Sequence, residues 1–235
     1  MALGRGDGTL TIWNYSTNTT KDLTEHRQDI HAVDWNLVTR DTILTGGWDN
    51  SIKLWNADAS QSIRTFTGHP AGVNAVSWHP KYADMFASVC DKACNLWDIN
   101  DTRPVLSIPA HREQIMAVEW SKYDEYQMFT GAVDKLIRIW DIRKAKEPVH
   151  TLAGHEFAIR RLKVSPHDPR ILASASFDMT CALWDITKLE VVQRFEEHTE
   201  FVHGVDFSNL VENRIATCSW DGTVRIWKVD SSLFP

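Results

Sequence analysis

The chain has 235 residues, 43% of them hydrophobic and 11 of them Trp, with a formal net charge of -6. That is enough apolar side chain for a sizeable core, and the acidic balance gives no general attraction to phosphate backbones or anionic membranes, so a cationic partner is expected and no nucleic acid. The opening MALGRGDGTLTIW holds no apolar run fit for a signal peptide and no segment approaches membrane-spanning length, which predicts a cytosolic or nuclear protein without direct membrane insertion, in which the glycosylation sequons at Asn14 and Asn18 go unused.

Along the chain, an Asp and a Trp recur six residues apart: Asp7 and Trp13, Asp49 and Trp55, Asp91 and Trp97, Asp134 and Trp140, Asp178 and Trp184, Asp221 and Trp227. In the fullest copy, TGAVDKLIRIWDIR, a strand reaches a turn at Asp134 and a returning strand carries Trp140. Successive Trp residues lie 42, 42, 43, 44 and 43 apart, and His26, His69, His111, His155 and His198 keep step at 43, 42, 44 and 43. On these two markers the chain is identified as a member of the WD40 repeat family over essentially its whole length. The resemblance implies an all-β propeller of four-stranded blades.

The elements follow that frame. Residues 1–24 supply a partial first blade, with two strands before Trp13 and no opening strand. Later repeats run over about 25–67, 68–109, 110–153, 154–196 and 197–235, and are expected to form one domain with the first. They open on the alternating strands IHAVDW (30–35), VNAVSW (73–78), IMAVEW (115–120), IRRLKV (159–164) and VHGVDF (202–207), and the chain ends in the polar stub VDSSLFP. We therefore expect six blade-like units, the first and last incomplete, of a seven-bladed family, truncated by about one blade at the N-terminus because open sheet edges normally pair. A hydroxyl residue stands four before the turn Asp at Thr45, Thr130, Ser174 and Thr217, but in the third unit Ala87 holds that place and Ser88 is displaced by one, so the turn at Asp91 is expected to be the least regular.

His, Ser or Thr, and Asp together could suggest a nucleophilic triad. An active site needs one constellation, however, and this one repeats: His26, Thr45, Asp49 and Trp55; His69, Asp91 and Trp97; His111, Thr130, Asp134 and Trp140; His155, Ser174, Asp178 and Trp184; His198, Thr217, Asp221 and Trp227. The expectation is a structural network in which the carboxylate accepts from the His, the His from the hydroxyl, and the hydroxyl bonds the indole N–H. No enzyme activity, cofactor or metal is expected, since the His residues lie on separate blades and cannot converge as ligands. Cys90, Cys94, Cys181 and Cys218 form no CxxC pair and read as buried small hydrophobes in a reducing compartment.

The network has a geometric consequence. If each His bonds the Asp of its hairpin turn, residues three and five after the His and the residue before the Asp crowd one face. Asp29, His31, Trp48 and Asn74 fall there, as do Gln114, Met116, Arg160, Phe177, Phe201 and Trp220, with Glu113 and Glu200 in the same loops. Large aromatics beside carboxylates suit an amphipathic basic helix, with Arg160 expected to neutralise a neighbouring carboxylate.

TGAVDKLIRIWDIRKAKEPV, GHEFAIRRLKVSP, LASASFD, EHTEFVHGVDFS and SWDGTV extend the match beyond positions that the repeat demands. Together they resemble the import receptors for type 2 peroxisomal targeting signals. That resemblance implies a cytosolic receptor that cycles to the peroxisomal membrane or matrix. Such a receptor recognises an N-terminal cargo helix bearing Arg or Lys followed by Leu and later His or Gln, on cargo such as thiolase-like enzymes. It works with a co-receptor peroxin and docking peroxins. On this reading Asp29, Glu113 and Glu200 meet the basic residue of the signal and the aromatics meet its Leu side. Two other readings remain: a generic WD40 interaction scaffold, and a cullin-type ubiquitin ligase substrate receptor using the WDxR box from Trp140 to Arg143.

Overall fold

Runs of alternating apolar residues, punctuated by Gly, Asn and Asp, fold into antiparallel meanders. The computed structural model describes residues 1–230, so the expected polar stub lies outside them from residue 231 onward. The first sheet holds β1 (Ala2–Gly4), β2 (Thr9–Asn14) and β3 (Thr19–Thr24); the second holds β4 (Ile30–Trp35), β5 (Thr42–Gly47), β6 (Ile52–Asn56) and β7 (Ser62–Phe66). The third is β8 (Val73–Trp78), β9 (Met85–Cys90), β10 (Ala93–Asp98) and β11 (Leu106–Ile108), and the fourth is β12 (Ile115–Trp120), β13 (Gln127–Ala132), β14 (Leu136–Asp141) and β15 (His150–Ala153). The fifth is β16 (Ile159–Val164), β17 (Ile171–Ser176), β18 (Cys181–Asp185) and β19 (Glu190–Phe195), and the sixth is β20 (Val202–Phe207), β21 (Arg214–Ser219) and β22 (Val224–Lys228).

Two compact units result, residues 1–109 with the first three sheets and residues from 110 onward with the last three. Within each, one packing rule recurs. The residues three and one before the Trp of a third strand bury against the opening strand of the next sheet, which answers with apolar residues three apart. Ile52 and Leu54 pack with Val73 and Val76 in the first unit, and Ile137 and Ile139 pack with Ile159 and Leu162 in the second. Each such side chain removed from water stabilises the fold by about 1.5–3 kcal/mol. The approach is close enough that a Cβ on Gly131 would lie 2.6 Å from Ile159 Cγ2, so only glycine fits there.

The sixth sheet departs from this rule. Val224 and Ile226, which occupy the same places before Trp227, are 72% and 75% exposed. Cys218 on the adjacent strand is exposed as well, against the expectation that all four cysteines are buried, because among the described residues of its unit no following strand covers that face. Cys90, Cys94 and Cys181 are buried, and burial raises the Cys94 thiol to about 12.

Candidate functional site

An indole N–H can only donate and a carboxylate can only accept, which with a neutral imidazole between them fixes the direction of each repeated polar chain. Trp55 Nε1 donates to Thr45 Oγ1 at 2.8 Å, the hydroxyl donates onward to His26 Nε2 at 2.7 Å, and His26 Nδ1–H donates to Asp49 at 3.0 Å. The same chain runs through Trp140, Thr130, His111 and Asp134, through Trp184, Ser174, His155 and Asp178, and through Trp227, Thr217, His198 and Asp221. Burial holds His26 and His111 below the usual imidazole value, which suits the neutral ring this direction requires. Burial pushes the Asp49 carboxyl up, but the Arg27 amide, the Ser51 hydroxyl and His26 outweigh it and hold it at about 2.

The third sheet has the irregular turn expected of it, and corrects the reading only at Asp91. The displaced Ser88 takes the hydroxyl place: it accepts from Trp97 Nε1 at 2.8 Å and meets His69 Nε2 at 3.0 Å. Asp91 does not join the chain. The hairpin turns on two residues between the paired Cys90 and Ala93, Asp91 itself takes the left-handed conformation at φ 49°, and its side chain is exposed. In the other hairpins the left-handed residue is the one after the Asp, as at Asn50, Lys135, Met179 and Gly222. His69 Nδ1 instead faces the Asn95 amide at 3.4 Å, and burial alone takes His69 down to about 4.

Each network draws the loop after the His onto the hairpin turn. The amide of the residue before the turn Asp donates to the carbonyl three residues after the His: Trp48 to Asp29, Val133 to Gln114, Phe177 to Ala158 and Trp220 to Phe201. A β-bulge then falls at the residue five after the His in every opening strand, at His31, Asn74, Met116, Arg160 and His203. A bulge takes its residue out of the in-and-out alternation of the strand and re-aims the side chain.

In the first unit His31 stacks on Trp48 with ring centroids 4.3 Å apart and planes 11° apart. Trp48 is 48% exposed and lies on Gly72, where a Cβ would come within 2.8 Å of the indole Cδ1. Asp29 is half-buried next to this pair. Asn74, expected on the binding face, is buried at 3% exposure because β8 is buried along its whole length, so it offers no surface.

In the second unit the same stack recurs between His203 and Trp220, at 4.7 Å and 17°. Phe201 lies 5.5 Å from Trp220 and 4.8 Å from Phe177, and Phe177 lies 5.3 Å from His203, so four rings form one cluster with Trp220 65% exposed at its edge. Glu113, Gln114 and Glu200 are exposed and Met116 is half-buried. Arg160 is partly buried, and burial, then Arg161, lowers its pKa. It pairs with no carboxylate among the described residues, against the expectation that it neutralises one; its hydrogen bond runs from Nη1 to the Met116 carbonyl at 3.5 Å. The sequence reading passed over Phe157, 57% exposed in the loop after His155 with Lys135 Nζ 5.7 Å from its ring centre. Its signal was a large aromatic two after the His, an offset that the reading did not consider. Arg143 of the WDxR box is 57% exposed at its side chain, yet its guanidinium already grips Asp141 at 2.9 and 2.7 Å and lies 4.1 Å from the centre of the Tyr126 ring.

The family model for the WD domain, G-beta repeat, matches residues 17–56, 60–98, 102–141, 146–185 and 189–228. The chain is similar to the peroxisomal targeting signal 2 receptor of Dictyostelium discoideum, 41% identical over 91% of this chain and 70% of the relative. The receptor of the same name from Mus musculus is 37% identical over 94% of this chain and 71% of the relative, and that of Schizosaccharomyces pombe is 32% identical over 94% and 73%. This chain belongs to the WD40 repeat family and, within it, to the family of peroxisomal targeting signal 2 receptors.

Proposed function

We propose that this chain is a peroxisomal matrix protein import receptor that binds the N-terminal type 2 targeting signal of cargo in the cytosol and, with a co-receptor, delivers it to the peroxisome. Membership of a family whose relatives are named for that receptor role carries the reading. The exposed ring clusters support it. Trp48 on His31 and the four-ring cluster that includes Trp220 give apolar footholds, each on its own unit, and neither is used by the polar networks. A binding role also agrees with the four complete networks, whose His, hydroxyl and Asp groups are bonded to one another within their own sheets.

On the second unit, the signal helix presents its Leu side to the rings of the Trp220 cluster and its basic residue to Glu113 or Glu200. A fluorescent type 2 signal peptide titrated into the chain measures this. Trp220→Ala removes an exposed indole whose loss should weaken binding by about 2 kcal/mol, roughly thirtyfold, and Glu113→Lys should weaken it further by repulsion. Wild-type affinity in the double variant sinks the proposed face. In cells lacking their own receptor, failure of the chain to restore import of a fluorescent protein carrying the signal, while a full-length relative succeeds, sinks the function.

A further inference from the structure

Within the second unit, bulges fall at Met116, Arg160 and His203 on three successive opening strands, and the middle one carries a cation. Its neighbours do not satisfy it. A guanidinium offers five N–H donors in a planar fork, and Arg160 spends one of them on a long 3.5 Å bond to a backbone carbonyl. Four other arginines of this unit have carboxylates: Arg138 has Asp134 at 3.7 Å, Arg170 has Asp168 at 2.7 Å, Arg194 has Asp178 at 3.9 Å and Arg225 has Glu197 at 2.8 Å, whereas Arg161, half-buried beside Arg160, has none among the described residues. Arg160 pairs with none among the described residues, and the charge that adds to the effect of burial on it is Arg161, of the same sign. Withdrawing a cation from water without a counter-charge is costly, so a group placed this way adds nothing obvious to stability.

Its position suggests what it is for. The Phe177 amide bonds the carbonyl of Ala158, two residues before Arg160, so the turn that carries one ring of the cluster is tied to the loop that leads into Arg160. We infer that Arg160 receives a carboxylate carried by the segment that binds on this unit, so that the segment presents an acidic group beside its apolar side, in addition to the basic residue expected to meet Glu113 or Glu200. The planar fork matches a carboxylate in two parallel hydrogen bonds, a geometry that ammonium and amide groups cannot reproduce. The identity of the segment rests on the proposed receptor function; the carboxylate chemistry does not.

The test uses the full chain and a panel of fluorescent type 2 signal peptides that differ only in carrying Glu or Gln at one position, moved along the sequence. At one position or two neighbouring ones, wild type should bind the Glu peptide about tenfold tighter than the Gln peptide. Arg160→Gln should abolish that preference while still binding the Gln peptide, and Arg160→Lys should keep part of it. Equal binding of Glu and Gln peptides at every position by wild type overturns the inference and leaves the receptor function standing, as does a preference that survives in Arg160→Gln. If no peptide in the panel binds wild type, the receptor function falls. The Arg160 inference is then decided by 3-phenylpropionate against its amide: an Arg160-dependent preference for the acid supports it, and no preference overturns it.

Discussion

The second and third sheets begin alike and end differently. Both place an indole, a hydroxyl and an imidazole in line, through Trp55, Thr45 and His26 in one and Trp97, Ser88 and His69 in the other. Only the second closes on a carboxylate; in the third, the carboxylate has swung out on a shortened turn. The first three members are therefore a property of strand register, which pairs Thr45 with Lys53 and Ser88 with Asn95 at equivalent places, while the fourth is a property of turn length.

The largest way to break this comparison is at the shared hydroxyl. Thr45→Val keeps the shape but leaves the Trp55 indole N–H and a His26 nitrogen buried without their partner, and should cost about 3 kcal/mol in chemical denaturation. Acid should separate the sheets next. His69 falls from 6.5 to about 4 on folding, so its contribution is full above pH 6.5 and is lost as pH falls from there toward 4, about 3 kcal/mol in all. In the second sheet burial also holds His26 below 6.5, so it too loses stability as pH falls through that range, while the Asp49 contribution, with its carboxyl down from 3.8 to about 2, is lost only below pH 3.8. Denaturation midpoints measured from pH 7 to 4 should therefore drop in wild type and drop less in a His69→Gln variant.

A smaller effect isolates the turn. Asp49→Asn should cost about 2 kcal/mol, because it puts an NH2 donor in place of one of the two oxygens that accept from His26, Arg27 and Ser51, whereas Asp91→Asn should stay within about 0.5 kcal/mol. Equal costs would mean that Asp91 shares the role after all. The smallest effect concerns backbone strain. Met179 holds the left-handed place after Asp178 at φ 66°, where Gly222 stands in the sixth sheet, so Met179→Gly should raise stability by about 0.5 kcal/mol in the same assay.

Much of the frame was legible because it depends on spacing. The polar networks, the opening strands and the pairing of each loop with its turn all follow from fixed offsets between His, Thr or Ser, Asp and Trp. What spacing cannot carry is local geometry. Counting offsets kept Asp91 in its network, although deleting one residue from a turn changes which residue goes left-handed and where its side chain points. Asn74 shares an offset with His31 but is buried, since burial depends on what packs over β8 and not on β8 alone. The stacks of His31 on Trp48 and His203 on Trp220 were not legible as pairs, because they need the bulge that re-aims each His.

Those bulges leave the chemistry at one position of each opening strand free to vary. A residue outside the alternation can be exchanged without moving its neighbours from the oily side of the strand to the wet one. Five opening strands hold imidazole, amide, thioether, guanidinium and imidazole in turn at that one slot, while the flanking Ile or Val and Ala, Arg or Gly keep the same ladder partners. Swapping the occupant is thus a change of vocabulary with the grammar held constant, and a designer wishing to retarget the protein would begin there.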